Sequence, residues 1–149
     1  VGEATYHLRA EFAQPISEDL LDRIDQFIVE GINANDWWQR RRDWERMGLR
    51  DTFWGEFTHL FPVVTKFLGD KVGGGCDNDL TGWDFGSDPD DSPPRIGRTP
   101  NELIYSAVVW HFSDWDPFCT FLKTHFGAIK AGWVSDEYVG DLSPLVEMT

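Results

Sequence analysis

The sequence predicts one acidic α+β domain over residues 1–149, a small antiparallel sheet backed by helices. Three observations predict it. An alternating apolar pattern at the N-terminus is followed at once by a helical stripe. A second strand-like run is apolar on both faces, and a Pro-started amphipathic helix leads into a last strand-like run. The chain of 149 residues, 41% hydrophobic and 26% charged, is long enough to bury a core and too apolar for disorder.

Residues 5–12 place Tyr6, Leu8, Ala10 and Phe12 on one face and His7, Arg9 and Glu11 on the other, the pattern of a half-buried strand. Pro15 ends it, and Ser17 is positioned to cap a helix with Glu18 and Asp19 in its first turn. Leu20, Leu21, Ile24, Phe27 and Ile28 form that helix's apolar stripe, with Gly31 and Asn33 as stops. A second helix is expected from Asp36 through Trp37, Trp38 and Trp44 to Gly48. A third begins at Asp51 or Thr52 and is kinked or split by Pro62, whose ring removes a backbone donor, before Gly69 terminates it.

Between residues 70 and 100 the composition shifts to Gly, Asp and Pro, with a short strand expected over residues 80–85. Residues 102–112 are the clearest strand, with Ile104, Val108, Trp110 and Phe112 on one face and Leu103, Tyr105, Ala107 and Val109 on the other. Asp116-Pro117 starts a helix that carries Phe118, Phe121, Leu122 and Phe126 and stops at Gly127. Residues 128–139 read as a last strand with Ile129, Ala131 and Trp133 inward. The order β, α with added helices, β, β, α, β is the ferredoxin-like βαββαβ arrangement, with extra helices inserted after the first helix. In that plan the first strand lies beside the third and antiparallel to it.

Charge is the dominant compositional signal: 26 acidic against 13 basic residues, a net −13. Such a surface repels nucleic-acid phosphates and anionic membranes and favours basic partners. Five arginines (Arg40, Arg41, Arg42, Arg46 and Arg50) concentrate beside Trp38 and Trp44. No apolar run is long enough to span a bilayer, and the N-terminus lacks the pattern of a signal peptide. With Cys76 and Cys119 far apart and outside any ligand spacing, a reducing, cytoplasmic setting is expected.

Three constellations could carry chemistry. His7 and His111, joined by Tyr105, would meet at one end of the outer sheet face if their strands pair, and two neutral imidazoles could bind a metal or serve as acid and base. The loop from Asp77 to Asp88 sets oxygens of Asp77, Asp79 and Thr81 at the first, third and fifth positions, with Gly82 sixth and Asp88 twelfth. That spacing converges hard oxygens on Ca²⁺. Trp37, Trp38, Arg41 and Trp44 form an aromatic-arginine group suited to a partner surface.

No Walker loop, GxSxG, HExxH or CxxC occurs. The leading expectation is therefore a non-catalytic interaction domain whose acidic surface binds a basic protein groove, as an inhibitor or nucleic-acid mimic would. The alternative is a small enzyme or ligand binder on the outer sheet face, centred on His7, His111 and Tyr105. The apolar row 103, 105, 107, 109, taken as outward-facing, adds the expectation of a homodimer or a covering helix.

Overall fold

Period-two alternation from Glu3 to Phe12 builds the central strand β1 (Glu3–Phe12), around which the computed structural model organises. It describes residues 3–69, 72, 83–86, 93–110 and 112–135. The order continues with α1 (Glu18–Trp38), α2 (Arg41–Arg46), α3 (Arg50–Leu60), α4 (Pro62–Leu68), β2 (Arg95–Ile96), β3 (Glu102–Trp110), α5 (Asp116–His125) and β4 (Ala128–Ser135). Mixed helix and strand are thus observed, with five helices and a four-stranded antiparallel sheet in the order β2-β3-β1-β4 among the described residues.

Ser17 caps α1 as its spacing indicates: its Oγ accepts from the Leu20 amide at 3.1 Å. Pro62 splits the third helical stretch by standing in the first turn of α4, where its missing donor costs nothing. Gly31 and Asn33, however, do not end α1. The helix runs on to Trp38, burying Ile24, Phe27, Ile28, Gly31, Ala34 and Trp38 along one face. A Cβ at Gly31 would lie 1.6 Å from Cδ2 of Phe85, so glycine is there to admit a ring.

Strand pairing corrects the facing of β3. Ala4, Tyr6, Leu8 and Ala10 stand opposite Val109, Ala107, Tyr105 and Leu103. Residues directly opposite share a face, so this row points to the helices with β1's apolar row. The covering helix or homodimer expected over it loses its basis. The outer face carries instead Thr5, His7, Arg9 and Glu11 beside Val108, Ser106, Ile104 and Glu102. There Arg9 (6% exposed) donates to Glu102 (1% exposed) and, at 2.9 Å, to Glu11.

Two further expectations change. Among the described residues the second strand is Arg95–Ile96; of the expected residues 80–85, 83–85 form no strand and 80–82 lie outside the described residues. On β4, Ala131 and Trp133 are buried, but Ile129 is 60% exposed. Glu11 pairs with Lys130 and Phe12 with Ala128, so Ile129 is the extra residue of a bulge.

The inner sheet face is sealed by rings. Tyr6 stacks on Trp133 at 4.8 Å, Tyr105 stacks on Trp115 at 5.6 Å, and Phe85 packs edge-on to Phe27 at 5.1 Å. A second aromatic group of Trp37, Trp44, Phe53, Trp54, Phe57 and Phe61 joins α2, α3 and the turn before α4 to α1. Among the described residues no helix is long and apolar enough to cross a membrane.

Gly31 and Gly55 offer opposite outcomes for one substitution. Gly55 in α3 has nothing within 4 Å of an added Cβ. Gly55→Ala should raise stability by about 0.5–1 kcal/mol through helix propensity. Gly31→Ala should lower it by about 1–3 kcal/mol, because overpacking against Phe85 outweighs the same propensity gain. Urea unfolding of both variants checks this, and stabilisation by Gly31→Ala would contradict the packing described.

Candidate functional site

The described residues Trp83, Asp84, Phe85 and Gly86 form an irregular strap buried between α1 and β3. Backbone in that position needs partners, because an unpaired buried carbonyl or amide loses a hydrogen bond's worth of free energy. Side chains supply them. Asn35 Nδ2 donates to the Trp83 carbonyl at 2.7 Å, Trp115 Nε1 donates to the Asp84 carbonyl at 2.7 Å, and Tyr105 Oη donates to the Phe85 carbonyl. The Asp84 carboxylate accepts from the Gly86 amide at 2.9 Å and from the Trp110 amide of β3 at 3.2 Å.

Where the strap meets the end of α1 and the end of β3 there is a cavity of about 280 Å³. Trp38, Trp83, Trp110 and Phe112 supply its aromatic lining; Asn35, Gln39, Asp84 and Ser113 supply its polar groups. Trp110 and Phe112 stack on each other at 6.0 Å and 20° and are 48% and 63% exposed. Trp38, Trp83 and Ser113 are buried, yet Trp38 Nε1, Trp83 Nε1 and Ser113 Oγ have no hydrogen-bond partner among the described residues. Leaving such groups unpaired costs about 1–3 kcal/mol each. Burial pushes the Asp84 carboxyl above its ordinary value, against the lowering effect of the two amides it accepts from; nearby Glu3 adds to the rise. Few convergent polar groups among aromatic walls is the usual make-up of a ligand site.

The expected site residues are distributed differently. His7 is exposed on the outer face with Nδ1 2.8 Å from Ser106 Oγ, and among the described residues no carboxylate hydrogen-bonds its ring. Tyr105 lies on the opposite, helix-packed face, so the sheet separates it from His7. His111 lies outside the described residues, as do Asp77, Asp79, Thr81 and Asp88 of the Ca²⁺ pattern. Among the described residues no cluster of His, Cys, Asp or Glu could hold a metal ion.

Trp38 and Arg41 are buried in the helical layer, not displayed on it. The Arg41 guanidinium lies 3.7 Å over the Trp38 ring, and its Nη1 donates to the Trp38 carbonyl at 3.3 Å. Trp37 and Trp44 are half-buried, 5.3 Å apart, and both pack on Phe53. Of this group only Trp38 reaches the cavity. Sequence reasoning did not single out Asp84, Trp83 or Ser113. A signal for Asp84 exists: in Asp84-Phe85-Gly86 an aspartate can accept from the amide two residues on, a turn habit of Asx residues.

A raised carboxyl pKa has a definite sign. The folded state holds the Asp84 proton more tightly than the unfolded chain, so the stability this adds is complete below the ordinary value of 3.8. It is lost as pH rises through the folded pKa. The stability of the wild type minus that of Asp84→Asn should therefore fall with rising pH across that window. Urea midpoints at stepped pH measure it, and a difference that grows with pH would contradict the assignment. Comparison of the chain with protein-family models, with curated proteins and with solved structures found no match.

Proposed function

We propose that this chain is a non-catalytic, acidic interaction domain that binds a basic protein surface, with the Trp110–Phe112 stack as its anchor. The observation that carries the reading is that large exposed stack beside carboxylates on an acidic chain. Glu3 pairs directly across from Trp110, Asp84 accepts the Trp110 amide, and exposed Asp114 follows Phe112 by two residues. Aromatic faces attract Lys and Arg side chains, and flanking carboxylates add to that attraction. Tryptophan is also the residue most enriched at binding hot spots. The net −13 supports the same partner class by steering a basic surface inward.

The same reading includes the ferredoxin-like plan, which the order β2-β3-β1-β4 and its antiparallel pairing support. It includes a cytoplasmic setting, supported by two cysteines set far apart in the sequence. Inhibition of a nucleic-acid enzyme is one role open to such a domain. The histidine-centred enzyme reading gains no support from an exposed His7 on the face opposite Tyr105.

A short Lys- and Arg-rich peptide is the direct probe, titrated calorimetrically at about 0.05 M and about 0.5 M salt, between which screening becomes severe. Affinity should drop about tenfold or more at high salt. Trp110→Ala with Phe112→Ala should weaken low-salt binding by a further tenfold, about 1.4 kcal/mol. Salt-insensitive binding, or full affinity in the double variant, would overturn the proposal.

A further inference from the structure

The cavity behind the Trp110–Phe112 stack holds a separate chemical puzzle: an aromatic enclosure with buried, unpartnered polar groups. Trp38 Nε1 and Trp83 Nε1 can only donate, Ser113 Oγ can donate or accept, and none has a partner. The Asp84 carboxylate, which accepts two amides, is the acceptor beside them. A guest that satisfies this set must accept from indole N–H groups and donate to a carboxylate. A hydroxyl group does both.

Charge narrows the guest further. An anion would meet the Asp84 carboxylate on a chain of net −13. A cation would leave both indole donors unpaired, and the Arg41 guanidinium already lies over the Trp38 ring. A flat apolar body is required as well, because the walls are rings. We infer that the cavity is a binding site for a neutral, hydroxyl-bearing ring of monosaccharide size, lying against the aromatic walls with its hydroxyl edge toward Trp38, Trp83, Ser113 and Asp84. The volume of about 280 Å³ has room for one such ring. The three unpartnered atoms are shielded from solvent in the empty protein, so binding includes a small turn of both indole edges and of the Ser113 hydroxyl toward the guest. This site does not depend on the basic-partner reading, whose anchor is the outer surface of Trp110 and Phe112.

Tryptophan fluorescence of the full chain, titrated with D-glucose, D-galactose, D-mannose and N-acetylglucosamine, tests it. Benzene and tetramethylammonium serve as apolar and cationic comparisons. At least one sugar should give a saturable change with a Kd in or below the millimolar range. Ser113→Ala and Trp83→Phe should each weaken it tenfold or more. Ser113→Ala should also raise the Tm of the empty protein by about 2–4 °C, since it removes an unpaired buried hydroxyl. That rise shows that the variant is folded while it loses ligand. No saturation by any sugar up to about 100 mM, tighter binding of tetramethylammonium, or undiminished sugar binding by both variants would overturn the inference. Peptide binding by Ser113→Ala should remain intact, so the two proposals fail separately.

Discussion

The structure depends on one constraint: the backbone of residues 83–86 runs through the interior without belonging to a helix or strand. Its polar groups must be satisfied by side chains, and the partners come from three places in the sequence. Asn35 reaches it from α1, Tyr105 from β3 and Trp115 from the turn before α5. Each hydrogen bond fixes one element against the strap, so the strap sets the separation of helix and sheet. Gly31 completes the arrangement by giving up its side chain to the Phe85 ring, which then also meets Phe27, Phe67 and Phe118. A buried loop is rare because such bonds are hard to supply, and here tyrosine, tryptophan and asparagine supply them over long sequence distances.

A different interaction holds the other side of the sheet. Arg9 and Glu102 are nearly sealed from water, and one Glu102 oxygen also accepts the Arg98 amide at 3.0 Å. Desolvating two charges offsets most of their attraction, so the pair adds little net stability. Its consequence is registration. A slip of β1 past β3 by one residue would turn Arg9 into the apolar face and leave two charges buried and unpaired, which costs several kcal/mol. The ion pair on one face and the ring stack of Tyr6, Trp133, Tyr105 and Trp115 on the other specify the same alignment.

What was legible in the sequence follows from the range of the interactions involved. β1, the Ser17 cap, the break at Pro62 and the start at Asp116-Pro117 are local and were readable from spacing alone. The facing of β3 was not, because both of its rows are apolar and only the pairing with β1 decides which one turns inward. Gly31 read as a stop because the reason for it, Phe85, lies 54 positions away in the sequence. A two-residue β2 is too short to show a period, and the bulge at Ile129 breaks the alternation that would have placed it. The site was the least legible part. Asp84 was not singled out, because only the fold brings the end of β3 to the carboxylate that also holds its own turn.

One end of the molecule collects features that individually cost stability: a desolvated carboxylate, two indole donors and a hydroxyl without partners, and two large rings in water. The inner sheet face and the backbone of the strap follow the opposite rule. The inner sheet face is packed, the strap's carbonyls at Trp83, Asp84 and Phe85 are bonded, and Tyr6 Oη donates to the Ser113 carbonyl at 2.7 Å. A chain selected for stability alone would lose little by changing Ser113 to alanine or Trp110 to a smaller polar residue. Sequences that agree with their fold at every level are expected to break the agreement where they bind something. The violations here share one cavity and its rim. That coincidence, more than any single residue, separates this end of the sheet from the exposed His7–Ser106 pair, whose hydrogen bond lies open to solvent.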